Sequence, residues 1–139
     1  MIQTFTFVGI PKAQGRPKFF RRGNFTGAYD PKDSREYKNN VAAQIVAQKP
    51  KLIDRDKAVY LDLTFCLPRP KGHYNSKGEI RDKFKNLHHT SKPDLDNLIK
   101  AIKDSLRGIV WNDDSQVQEI TAMKHYGPSG EVRIEVTDI

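Results

Sequence analysis

The side chains best placed to do chemistry are two aspartates two residues apart, in the run Lys92-Pro93-Asp94-Leu95-Asp96-Asn97-Leu98-Ile99-Lys100. Pro93 disfavours helix at the residue before it, so a helix here begins after Lys92. At such an entrance, in extended or capping backbone, residues two apart project to one side with Cα atoms roughly 6–7 Å apart. Two carboxylates held this way can embrace one hard cation, whereas in mid-helix they would diverge. Magnesium takes one or two carboxylates and completes its shell with water and substrate phosphate oxygens. The competing reading is structural: Asp94 or Asp96 caps the helix, with Asn97 assisting.

A second acidic pair, Asp113-Asp114, follows the same helix pattern. To meet Asp94 and Asp96 within one chain, the backbone must return over the helix, about 20 Å at 1.5 Å per residue. A strand antiparallel to the helix, or a second copy of the chain, would do this; a solvated Asn-Asp-Asp turn is the plain alternative. Lys100 lies four residues after Asp96, on the same helix face. Its ordinary role is an i,i+4 ion pair, and its sharper one is a cation beside a phosphate on which charge develops. His88 and His89 diverge as neighbours and have no partner at metal-ligand spacing, which suits phosphate-contacting or solvated loop residues. Trp111 reads as a core or interface anchor. There is no glycine-rich phosphate loop, nucleophile elbow or zinc motif.

Six segments must position these groups. Residues 2–8 alternate and read as a strand, stopped by Gly9 and Pro11. Residues 32–49 carry Tyr37, Val41, Ala42, Ile45 and Val46 at helical spacing, and Pro50 ends them. In residues 58–67 Val59, Leu61, Leu63, Phe65 and Leu67 share one strand face. Residues 95–107 place Leu95, Leu98, Ile99, Ile102 and Leu106 in a helical stripe that Gly108 stops. Residues 116–126 and 131–138 read as two strands joined at Gly127-Pro128-Ser129-Gly130. The order β-α-β-α-β-β makes one α+β domain spanning residues 1–139, with a mixed sheet of about four strands and two helices.

Two stretches carry no apolar period. From Pro11 to Tyr29 the chain reads as a loop in which Lys12, Arg16, Lys18, Arg21 and Arg22 meet no acidic residue and alternate with Phe19, Phe20, Phe25 and Tyr29. That mixture suits a phosphate backbone with rings available to bases, or a solvated loop with rings in the core. Residues 69–92 are polar and mostly basic, a long and mobile loop by this reading.

The 139 residues hold 24 Lys and Arg against 17 Asp and Glu, a net charge of +7 that favours a polyanionic partner. One cysteine, Cys66, excludes an intrachain disulfide and a cysteine-rich zinc site. With no targeting or membrane-length apolar run, a cytoplasmic setting is expected.

The run from Lys92 to Val117, KPDLDNLIKAIKDSLRGIVWNDDSQV, resembles the signature of the RusA family of Holliday junction resolvases. That family shows a D-L-D-N-L-x-K start, a helix with an internal Asp, and a D-D-x-Q-V close. The resemblance implies catalytic carboxylates at Asp94, Asp96 and Asp114, a catalytic lysine at Lys100 and a structural role for Asp104. It implies one or two Mg²⁺ ions, replaceable by Mn²⁺, a homodimer, and paired hydrolysis of branched DNA leaving 5′-phosphate and 3′-hydroxyl ends. Arg16, Lys18, Arg21, Arg22, Arg69, Lys71 and Lys92 would then contact phosphates and position the DNA without reading sequence. A non-catalytic DNA-binding module with capping aspartates, or a broader flap and fork nuclease, are the alternatives.

Overall fold

A computed structural model describes all of residues 1–139. In it the strands are β1 (Ile2–Val8), β2 (Lys18–Arg22), β3 (Phe25–Tyr29), β4 (Val59–Pro68), β5 (Val117–Gly127) and β6 (Glu131–Asp138). The helices are α1 (Lys32–Ala47) and α2 (Leu95–Leu106). The main sheet runs β1-β6-β4-β5, antiparallel except for the parallel β4–β5 pair that α2 connects. Mixed sheet, strand count and both helices agree with the sequence reading.

The difference lies between Pro11 and Tyr29, where the expected loop contains a separate antiparallel hairpin, β2–β3. Arg22 pairs with Phe25 across the two-residue turn Gly23-Asn24, and Gly23 has φ +59°. A glycine at the first turn position takes that left-handed backbone without a Cβ clash, which favours a tight hairpin. The aromatic residues of this stretch do not enter the core. Every residue of β2 is exposed, and in β3 only Gly27 is partly covered.

The core forms because alternate strand residues and two helix stripes face one another. Phe5 and Phe7 of β1, Val59 through Leu67 on alternate positions of β4, and Val132, Ile134 and Val136 of β6 are buried. They meet Tyr37, Val41 and Ile45 of α1 and Leu98, Ala101, Ile102 and Leu106 of α2. Burying one such aliphatic side chain contributes about 1.5–3 kcal/mol. Helix α1 stops where Lys49 adopts φ +56° before Pro50, a left-handed residue that ends the helical run.

The two edges of the sheet are finished differently. On β1, the Gln48 side chain accepts from Thr6 N–H at 3.1 Å and donates to Thr6 C=O at 2.8 Å. Gln44 does the same at Val8, 2.9 Å each way. These amides occupy the groups a further strand would need. On β5 no backbone group between Gln118 and Tyr126 bonds to any backbone outside the β4 ladder.

Residues 69–92 are ordered locally rather than free. Asn75 Oδ1 accepts from Lys77 and Glu79 N–H, and His73 stacks on Phe84 at 4.1 Å. Tyr126 of β5 packs edge-on against His73 at 5.2 Å and beside His89 at 4.5 Å. This aromatic cluster fastens the segment to the end of the sheet.

Candidate active site

Helix α2 separates the predicted site residues into two groups. Asp94 occupies the N-cap position with extended backbone, φ −70° and ψ 141°, and Asp96 lies in the first turn. The Asp94 carboxylate makes no cap hydrogen bond; Lys92 Nζ stands 3.1 Å from it instead. Asp94 is therefore the N-cap by its backbone alone, with its side chain turned to Lys92 instead of a helix N–H. Lys124 of β5 fixes the approach to this turn by donating to Ser91 C=O at 2.7 Å and Pro93 C=O at 2.9 Å. Asp96 and Lys100 are exposed, and Lys100 makes no ion pair with Asp96 or any other carboxylate. Exposed carboxylates on a helix N-terminus, where the backbone dipole is positive, with only the exposed Lys92 beside one of them, suit a cation and a phosphate together.

Asp114 sits at the other end. Fully buried Trp111 donates its Nε1–H to Asp114 Oδ1 at 3.0 Å, and Arg107 Nη1 lies 3.6 Å from Oδ2. Both partners belong to the turn that leaves α2. The buried Gln116 side chain holds the loop rigid from four directions. Its oxygen accepts from Asn112 N–H at 2.8 Å and Asp113 N–H at 2.9 Å; its amide donates to Asp54 C=O at 2.9 Å and Lys57 C=O at 3.2 Å. Asp113 accepts from Ser115 N–H at 3.0 Å, and Ser115 holds its carboxyl below the usual carboxylate range. Asp113 is thus an exposed capping residue, while the half-buried Asp114 carboxylate is held by Trp111 and Arg107.

The twelve residues of α2 place these ends about 18 Å apart at 1.5 Å per residue. Within one chain no three His, Cys, Asp or Glu side chains gather closely enough to hold a metal. Asp94 and Asp96 stand two residues apart at the start of α2, and Asp114 follows its exit. Trp111 and Arg107, the residues that orient Asp114, were not assigned that task from sequence. The i,i+3 spacing of Trp111 to Asp114 was the available signal. Asp104 joins Lys38 of α1 at 3.7 Å, a helix–helix tie.

The expected DNA-contacting residues fall into three places. Lys18, Arg21 and Arg22 lie on the hairpin, and exposed Arg16 lies just before it. Lys71 is exposed on the 69–92 segment, and Lys92 stands beside Asp94. Arg69 is committed internally: its Nη1 donates to Phe84 C=O at 2.8 Å, and its guanidinium lies 5.5 Å from the Tyr126 ring centre. His89 is packed rather than solvated. Burial, with Lys124 nearby, pushes its pKa down, which keeps it neutral.

A sheet layered by two helices, a basic arm and a carboxylate pair at a helix entrance define an α+β domain. The family described as Endodeoxyribonuclease RusA matches residues 9–137, and the chain belongs to that family. It is 38% identical over 133 residues to the Bacillus subtilis (strain 168) protein YqaN, covering 95% of this chain and 92% of YqaN, whose description is "Uncharacterized protein". It is 27% identical over 135 residues to a Lactococcus phage r1t protein described as crossover junction endodeoxyribonuclease rusA, covering 94% of this chain and 86% of that one. No helix is long and apolar enough to cross a membrane.

Proposed function

We propose that the protein is a homodimeric, Mg²⁺-dependent endonuclease that resolves four-way DNA junctions by paired phosphodiester hydrolysis, leaving ligatable 5′-phosphate and 3′-hydroxyl ends. The observation that carries this reading is the exposed Asp94–Asp96 pair at the entrance of α2, in a chain of the RusA family. The donor set fits the metal: two carboxylates are what Mg²⁺ takes from protein, leaving room for water and phosphate. Asp94 and Asp96 would hold it, with Asp114 as the third carboxylate. When bound, Mg²⁺ supplies positive charge to phosphate oxygens and acidifies a water molecule.

The chain's own groups do the rest. Lys100, one turn beyond Asp96 and unpaired, places an ammonium beside the phosphate and stabilises charge that develops there. The N–H groups of the first turn, left free by Asp94, add to the same positive field. Lys92 keeps a cation next to Asp94 when no metal is present. Trp111 and Arg107 hold Asp114 in one orientation.

The 18 Å separation supports the dimer. In a two-fold arrangement with α2 antiparallel to its copy, the N-terminal end of each helix meets the C-terminal end of the other. Asp114 of one chain then completes the pair of its partner, giving two equivalent sites. Two sites related by a dyad suit symmetric cuts in two strands.

The test is cleavage of a labelled synthetic four-way junction, beside linear duplex and a flap, by wild type and Asp96→Asn. We expect paired, ligatable nicks in Mg²⁺, with the variant at least about 10³-fold slower and its junction affinity retained. Tight junction binding without cutting in Mg²⁺ or Mn²⁺ would reduce the protein to a binding module.

A further inference from the structure

The β2–β3 hairpin is an unusual thing for a soluble protein to expose. Phe19 is 74% exposed, Phe25 63%, Tyr29 46% and Phe20 36%. A two-stranded hairpin alone is marginally stable in water, and a cluster of exposed rings marks a contact surface. The strand register sorts its side chains. Lys18, Phe20, Arg22, Phe25, Gly27 and Tyr29 share one face, because Phe20 opposes Gly27, Arg22 opposes Phe25 and Lys18 opposes Tyr29.

On that face the rings form a platform. Phe20 lies 6.0 Å from Phe25 and 6.1 Å from Tyr29, centre to centre, and the Arg22 guanidinium lies 5.9 Å from the Phe20 ring centre. Gly27 permits this: a Cβ there would meet the tip of Phe20 at 2.5 Å. Phe20, Arg21, Arg22, Phe25 and Tyr29 line a concavity of about 560 Å³, within the range of sites for planar ligands.

The arm also has a defined root. Gln14 N–H donates to Asn97 C=O in α2 at 3.0 Å, one residue after Asp96. Gly15 N–H donates to Ser34 Oγ of α1 at 2.9 Å. On the return strand Asp30 pairs with Lys38, which also reaches Asp104 of α2. The outgoing strand is therefore tied to α2 beside the carboxylate pair, and the return strand to α1, whose Lys38 reaches Asp104 near the other end of α2.

We propose that the arm enters the branch point and stacks unpaired bases on Phe20, Phe25 and Tyr29, while Lys18, Arg21 and Arg22 take the flanking phosphates. This rests on the junction reading above and adds how a branch is told from a duplex. A paired duplex offers no free base face, whereas a junction centre offers several. Base–aromatic stacking is tolerant of sequence and suits this task. A second copy of the chain is the other possible occupant of an apolar platform. Charge argues against it: residues 12–29 hold five basic and no acidic side chains, so two arms would repel each other while DNA neutralises both.

The experiment uses a four-way junction with 2-aminopurine beside the branch point, bound in Ca²⁺ without cutting. A second junction carries permanently unpaired bases at its centre. Wild type should change the 2-aminopurine fluorescence on binding, and the double variant F25L/Y29L should not. The same variant should cut the intact junction roughly tenfold more slowly and lose distinctly less on the pre-opened junction, whose bases need no unpairing. F19A, on the opposite hairpin face, should behave as wild type in both assays. Equal losses on both junctions, or unaltered fluorescence in F25L/Y29L, would overturn the proposal. A change of oligomeric state in F25L/Y29L, read by sedimentation, would assign the platform to a second copy instead. Should wild type neither bind nor cut any junction, the functional reading itself fails, an outcome separate from the arm's.

Discussion

At the entrance of α2 the carboxylates of Asp94 and Asp96 stand open, with only a flexible Lys92 ammonium beside one of them. Beyond its exit the carboxylate of Asp114 is held by a buried indole and a guanidinium, on a loop stapled by Gln116. One end is left adjustable and the other is preset. A cation site assembled from such halves gains its geometry from the fixed carboxylate and its adaptability from the free pair. The fixed half need not belong to the same chain.

The sharpest way to break this comparison is complementation. Asp96→Asn and Asp114→Asn should each abolish cutting. Mixed in equal amounts and allowed to exchange, they should restore about a quarter of the wild-type sites, since half the dimers then hold one intact composite site. No recovery, with exchange verified by mass using a tag on one variant, would place Asp114 in the site of its own chain.

A smaller effect is expected from Trp111→Phe. The ring stays buried, but Asp114 loses its one well-formed hydrogen bond, a contact to a charged group worth about 1.5–3 kcal/mol. Urea denaturation should show a loss at the lower end of that range, because Asp114 remains partly solvated. Cleavage should fall as well, through a misplaced carboxylate. Stability lost without any effect on cleavage would make the indole a packing residue only.

The mildest probe is acid. The Asp113 carboxyl sits below its usual range because the Ser115 N–H and hydroxyl stabilise its charged form. Its contribution is therefore full above the unfolded carboxylate pKa and fades as pH falls through the lower folded value. Asp113→Asn, which keeps an acceptor but cannot titrate, should flatten the fall of Tm below about pH 4. An unaltered slope would show that Gln116, not the charge, secures this loop.

Most of the scaffold could be read from periodicity. Strands β1, β4, β5 and β6 and both helices lie within two residues of where alternation and helical spacing put them, because each buries one face against the others. The β2–β3 hairpin was read as loop since its alternation is of rings and charges, not core and solvent. Its Gly23-Asn24 turn was the clue that burial logic passed over. The order within residues 69–92 was illegible for another reason. His73 depends on Phe84 and on Tyr126, more than fifty residues ahead, and no local pattern announces such a contact. At the site, Asp94 and Asp96 followed from Pro93 and the helix stripe. The placement of Asp114 did not, since spacing fixes the length of a helix but not where the loop beyond it folds.

The sheet edges have a consequence for stoichiometry. Gln44 and Gln48 fill the hydrogen-bonding positions of β1 at Thr6 and Val8, whereas β5 leaves its outer ladder open. A strand can be added on one side only. Two copies joined β5 to β5 would each turn a plugged edge outward, so growth through the sheet would end there and no filament could follow. The glutamines would then limit the assembly to two chains without touching either the proposed metal ligands or the proposed DNA-binding arm.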